Sequence, residues 1–247
     1  IYALTIMDWR NIWIIISVSI ILFLPLVSYF LVKEVKLSSR EDDNEVIKQN
    51  IKQWKRSEVI KDYRFIIIAL NMLAMPWIAT GIFVYQSFIL SAKNWGEYTI
   101  AQSFMVYSIA SVLTLFVAGY LIDKFTSRKL LIYMNIPFLI SLLILFYFQS
   151  PVSSFFFLGL IGVSNGFANV LGSSTWAELY GVEFIGSIKA LTTALMVFST
   201  AFGTAFFGLM IDFDFSIEQI SMISGGYILI SLILLFLIKN KLNPTIL

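Results

Sequence analysis

Polar side chains able to hold a solute recur at helical spacing inside two otherwise apolar stretches. Asn165, Asn169 and Ser173 follow one another four residues apart, and Asn71, Trp77, Thr80, Tyr85 and Gln86 share a stretch interrupted by Pro76. Tyr107 and Gln102 add a phenol and an amide in a third. These groups donate and accept hydrogen bonds but do not make or break covalent ones, so the chemistry they offer is recognition. In hydrocarbon an amide without a partner is costly, and such a stripe must face a solute, water or another helix. The chain has no Cys and no His. That excludes thiol nucleophiles, disulfides, a Ser/His/Asp triad and the usual imidazole or thiolate metal sites. No enzyme activity, metal or cofactor is expected.

The elements that must position these residues follow from the composition. Of 247 residues 59% are hydrophobic and only 13% charged, with a mean hydropathy of +0.86 and a net charge of +2. A soluble enzyme and a nucleic-acid binder are thereby excluded. Seven stretches free of Asp, Glu, Lys and Arg, at 11–32, 65–91, 98–122, 130–149, 152–175, 191–211 and 220–238, meet the roughly 20 helical residues needed to cross about 30 Å of hydrocarbon. A charge at the centre of such a helix would cost about 2.5 to 3.5 kcal/mol. Segment 228–238 is apolar on every side and lacks the alternation of a membrane barrel strand. The expected fold is all-α: a polytopic membrane protein with seven transmembrane helices. Pro76, in mid-span, should release a carbonyl one turn earlier, near Met72, and let the helix bend.

Basic residues fix the orientation. Nine Lys and Arg lie in 33–64, followed on the same side by Lys124, Arg128 and Lys129, then Lys189, then Lys239 and Lys241. The other side holds only Arg10 and Lys93, and its last loop carries Asp212, Asp214 and Glu218. The positive-inside rule then puts the start of the chain outside and its C-terminus in the cytoplasm of a plasma (inner) membrane. Segment 1–7 is apolar, lacks a basic leader or cleavage site, and reads as the outer end of a preceding helix, so the chain reads as the C-terminal part of a longer one. Within 33–64, Ile47, Ile51 and Trp54 alternate with Lys48, Lys52 and Lys55 as an amphipathic helix on the membrane surface would. Beyond residue 64 the loops are short and join antiparallel neighbours. Gly162 and Gly166, spaced G-x-x-x-G, provide for close helix packing, as do Gly203 and Gly208 near Ala201 and Ala205.

The run from Gly119 through Asp123, Lys124, Thr126 and Arg128 to Lys129 resembles the G-x-x-x-D-[RK]-x-G-x-[RK]-[RK] signature of the major facilitator superfamily. That family carries it after its second and, more loosely, its eighth helix. Counting from the eighth makes these spans helices six to twelve of a twelve-helix transporter. Asp8-Trp9-Arg10 is similar to a G-W-R found outside helix five, and Asp62-Tyr63-Arg64-Phe65 to a D-x-R-F entry to helix seven. Ala177-Glu178-Leu179-Tyr180-Gly181 with Gly186, then Gly203, Gly208 and Asp212, look like helices ten to eleven of bacterial relatives of monocarboxylate and oxalate/formate carriers. In two places the chain departs: Thr126 replaces the loop glycine, predicting a relaxed turn, and Thr204 stands where those relatives often have proline.

The resemblance implies three parts. Residues 1–32 hold the end of a preceding helix and the last helix of an N-terminal half, 33–64 a central cytoplasmic linker, and 65–247 a six-helix C-terminal bundle. The two halves rock about a midplane site. Substrate would meet Asn71, Trp77, Thr80, Tyr85, Gln86, Tyr107, Asn165 and Asn169, while Gly119, Asp123, Lys124, Arg128 and Lys129 form an inner latch. A secondary active transporter of a small organic solute is implied, an organic anion on the subfamily likeness. Its partners are that solute, the lipid bilayer and the N-terminal helices. No span embeds a charge, so the titrating acid of any proton coupling belongs to the helices before this chain. Export of hydrophobic compounds is the alternative within the class, and a seven-helix receptor or membrane scaffold the alternative outside it.

Overall fold

The structure is a computed structural model that describes residues 7–31 and 51–245. Among the described residues seven helices are long and apolar enough to cross a membrane, as the charge-free stretches predict. The chain divides into two units, 1–46 and 47–247.

In the first unit the described part is one helix, α1 (Trp9–Leu31). Its first turn is closed by the Asn11 N–H donating to the Asp8 carbonyl at 3.0 Å. The Arg10 guanidinium lies over the Trp9 ring, so a charge and an aromatic meet at one helix end.

The second unit is a bundle of antiparallel spans. The short α2 (Arg56–Val59) leads into α3 (Tyr63–Ala74), which Asp62 caps by accepting from the Arg64 N–H at 2.9 Å. In α2 the Lys55 N–H and the Lys52 ammonium hold the Glu58 carboxyl below its ordinary range. Pro76 converts the following turn, Met75–Ala79, to a π-helix, after which α4 (Thr80–Val84) and α5 (Gln86–Lys93) complete the span with a break at Tyr85. Next come α6 (Glu97–Phe125), the broken pair α7 (Ser127–Met134) and α8 (Ile136–Tyr147), α9 (Ser153–Tyr180), α10 (Ile185–Asp212) and α11 (Ile217–Ile238), which closes in a 3-10 turn, Lys239–Lys241. The start of α11 is set by a capping box in which Ser216 and Gln219 satisfy each other's backbone N–H.

The amphipathic helix expected through Ile47, Ile51 and Trp54 begins outside the described residues, and its described part, 51–55, is extended instead. Its backbone is claimed by tertiary partners: the Lys52 N–H donates to the Thr245 carbonyl at 2.8 Å and the Trp54 N–H to the Tyr180 carbonyl at 3.0 Å. The helices also outrun the charge-free stretches, because a charged residue at a span's end does not stop the backbone. Glu97, Asp123, Glu178, Lys189 and Glu218 all lie within helices.

Glycines set the closest approaches. A Cβ on Gly162 would run into the Tyr107 carbonyl, and one on Gly166 would come within 2.7 Å of the Ser111 carbonyl, so the G-x-x-x-G face of α9 lies directly on the backbone of α6. Gly203 of α10 likewise sits against the Trp77 carbonyl. At the end opposite the 126–129 turn, Lys93 is fully buried and paired with Glu218 at 2.8 Å, which ties α5 to α11.

Thr126 corrects the sequence reading. The turn is not relaxed: Thr126 has φ 71°, a left-handed conformation suited to the glycine it replaces and foreign to a β-branched residue. Its hydroxyl is buried without a partner. Thr126→Gly is expected to stabilise the protein by about 1 kcal/mol, read as a rise in thermal midpoint in detergent. Gly162→Val is expected to lower that midpoint, at a cost of about 1 to 3 kcal/mol for overpacking.

Candidate functional site

Pro76 lacks the N–H that would serve the Met72 carbonyl. Around that position side chains from three other spans donate onto the backbone. Tyr227 of α11 donates to the Leu70 carbonyl at 2.8 Å, Asn135 between α7 and α8 to that of Asn71 at 2.6 Å, and Ser199 of α10 to that of Leu73 at 3.3 Å. The accepting groups thus flank the Met72 carbonyl predicted from Pro76. Fixed in this way, the π-helical turn forms one wall of a cavity of about 230 Å³ between α3, α6, α9 and α10.

Four of the predicted residues, Thr80, Tyr107, Asn165 and Asn169, line this cavity. Asn165 spends its Nδ2 on Ser111 of α6 at 2.9 Å, and Asn169 its Nδ2 on the Asn165 carbonyl at 3.0 Å. No described residue donates to either amide oxygen, and the Thr80 and Tyr107 hydroxyls make no hydrogen bond among the described residues. The cavity therefore offers two acceptors and two hydroxyls against a wall of Met72, Met75, Phe83 and Trp176.

The other predicted residues lie elsewhere. Asn71 is fully buried and donates to Ser231 of α11 at 3.3 Å, joining two helices. Trp77 lines a second, apolar cavity of about 410 Å³, its ring edge-on to Phe202, Phe206 and Tyr227. The Tyr85 hydroxyl sits against Gly208, and Gln86 is exposed at the start of α5.

Two residues gain importance that sequence reasoning did not give them. Lys189, counted among the loop charges, stands in the second turn of α10, and its Nζ donates to Ser173 of α9 at 2.9 Å. Ser173 is one turn beyond Asn169 and Lys189 one turn before Thr192, so this exposed ammonium lies one helical turn outside the residues that line the cavity. The four-residue spacing of Asn169 and Ser173 was the available signal; that Lys189 meets it depends on how α9 and α10 pack. The second residue is Glu178 of α9, which accepts from the backbone N–H and hydroxyl of Ser127 and pairs with Arg128.

Glu178 changes the picture of the latch. Of the five expected residues, Arg128 alone is clamped within the bundle, to Glu178 and, through Nη1, to the Leu242 carbonyl at 2.8 Å. Gly119 meets no neighbour, Asp123 and Lys129 are exposed without hydrogen bonds or ion pairs among the described residues, and Lys124 lies over Phe125. Beside this clamp Asp62 holds Arg64 at 2.8 Å and accepts from the Tyr180 hydroxyl at 3.2 Å. Arg128→Glu or Glu178→Arg alone should lower the thermal midpoint. The double swap should recover part of the loss, with a coupling of roughly 1 to 2 kcal/mol for this partly exposed pair.

No curated protein and no solved structure matches the chain. The family model of the Major Facilitator Superfamily matches residues 1–204 and, in an overlapping second match, 66–245. That match leaves no place for the receptor or scaffold alternative. With its seven candidate spans, this chain belongs to the Major Facilitator Superfamily, as a multi-pass membrane transporter and not an enzyme.

Proposed function

We propose that this chain contributes the C-terminal half of a secondary active transporter that moves a small organic anion by alternating access, and that the cavity between α3, α6, α9 and α10 is its share of the binding site. The observation that carries this reading is the convergence of Thr80, Tyr107, Asn165 and Asn169 on one cavity, with the exposed Lys189 ammonium bonded to Ser173 one turn beyond Asn169. Ser173 is a neutral partner and Lys189 makes no ion pair among the described residues, so a carboxylate that reaches it gains one while donors elsewhere on the solute meet the amide oxygens. The excess of basic residues supports a cytoplasmic position for the Lys189 end of the bundle, with the start of the chain outside, in a plasma (inner) membrane. The exposed Asp123 and Lys124 are free to meet a second half as an inner latch.

A second reading, export of hydrophobic compounds, is favoured by the apolar aromatic cavity around Trp77. Uptake into proteoliposomes holding the full-length transporter separates the two. At constant protein level Asn165→Ala and Asn169→Ala should each reduce transport of an organic anion roughly fivefold, the loss of one neutral hydrogen bond from a donor on the solute, and Lys189→Gln should reduce it about tenfold, the loss of one to its charge. Lys189→Arg should retain most of it. Transport unchanged in all three, with loss in Trp77→Ala, would transfer the site to the apolar cavity.

A further inference from the structure

The end of the bundle that carries the strained 126–129 turn also carries the last described residues, and between them lies a third cavity of about 520 Å³. It shares no residue with the two described above. Its wall is basic. Lys129 of α7 and Lys239 of the 3-10 turn are exposed, Arg128 at the edge is engaged by Glu178, and no acidic side chain lines the space. Lys239 has no ion-pair partner among the described residues; its ammonium rests 3.8 Å from the centre of the Phe236 ring. Two cations are thus left uncompensated at one end of two membrane-spanning helices.

Ile132 and Phe236 line this cavity and also an adjoining groove of about 230 Å³, completed by Ile136, Leu232, Ile233 and Leu237. The groove has no charged lining and runs between α7–α8 and α11, open on the outer surface of the bundle, where Leu237 is 71% exposed. From helix end toward mid-span the surface therefore passes from basic, through the aromatic pair Tyr133 and Phe236, to aliphatic. A phospholipid has the same order of polarity. A zwitterionic headgroup would bring its own cation toward Lys129 and Lys239, whereas an anionic one complements them.

We propose that this cavity and groove form a binding site for an anionic phospholipid, its phosphate held between Lys129 and Lys239 and one acyl chain lying along Ile132, Ile136, Ile233 and Leu237. The test is native mass spectrometry of the purified full-length transporter with added dioleoylphosphatidylglycerol, dioleoylphosphatidylcholine or inorganic phosphate. Phosphatidylglycerol should be retained in preference to phosphatidylcholine, and inorganic phosphate should not displace it. The double variant Lys129→Gln/Lys239→Gln should weaken phosphatidylglycerol binding about 30-fold, the contribution expected of two lysines. Lys129→Arg/Lys239→Arg should restore binding, and Ile233→Trp, which fills the groove, should weaken it with both charges in place. Thermal midpoints identify any variant that has lost its fold, and the arginine and Ile233 variants keep the test decisive in that case. Equal retention of phosphatidylcholine, unchanged phosphatidylglycerol binding in the glutamine variant, or displacement by inorganic phosphate would overturn the proposal, the last in favour of a free-anion site.

Discussion

The rest of this bundle depends on one constraint: backbone polar groups in hydrocarbon must find partners inside the protein. An unbroken helix meets it alone, but the span containing Pro76 cannot. Pro76 removes the donor of the Met72 carbonyl, and on either side of it the carbonyls of Leu70, Asn71 and Leu73 accept bonds from Tyr227, Asn135 and Ser199. Each of these donors belongs to a different span, so a local defect becomes a junction that holds three neighbours in register. The π-helical turn produced there forms a wall of the polar cavity.

Around this junction the interactions divide by depth. In the middle of the bundle helices are joined by neutral hydrogen bonds and glycine contacts, such as Asn165 to Ser111 and Gly162 against the Tyr107 carbonyl. At the ends they are joined by charges: Arg128 with Glu178 at one, Lys93 with Glu218 at the other. In each of these pairs the carboxylate keeps partial access to water, which lessens the desolvation penalty that a mid-span charge would meet.

The Arg128–Glu178 clamp shows how a family motif is shared between a bundle's own packing and its external contacts. Arg128 serves the bundle, since it bonds α9 and the chain end together, while Asp123 and Lys129 stay exposed. Thr126 keeps the conformation of the glycine it replaces, at φ 71°. The turn is therefore dictated by what surrounds it: the Ser127 N–H and the Arg128 guanidinium must both reach Glu178.

The number and kind of spans and the break at Pro76 were legible in the sequence, because hydrophobicity and proline geometry act locally and leave their mark in consecutive residues. The G-x-x-x-G packing face was legible for the same reason. The superfamily could be read from the 119–129 run. Which polar residues meet was not legible: Asn71 and Asn165 are both asparagines in membrane helices, yet one is consumed by Ser231 and the other borders a cavity. Helix rotation about its axis decides that, and it is set by contacts between residues more than a hundred positions apart, such as Asn71 with Ser231 or Tyr227 with the Leu70 carbonyl. Lys189 and Glu178 acquired their places in the same way. By itself the sequence determined that these helices enter a membrane, and the charge-free stretches marked their apolar cores but not where each helix ends. Only the tertiary structure decided which face of each helix turns inward, because in lipid every face is apolar enough to be exposed and packing alone selects one.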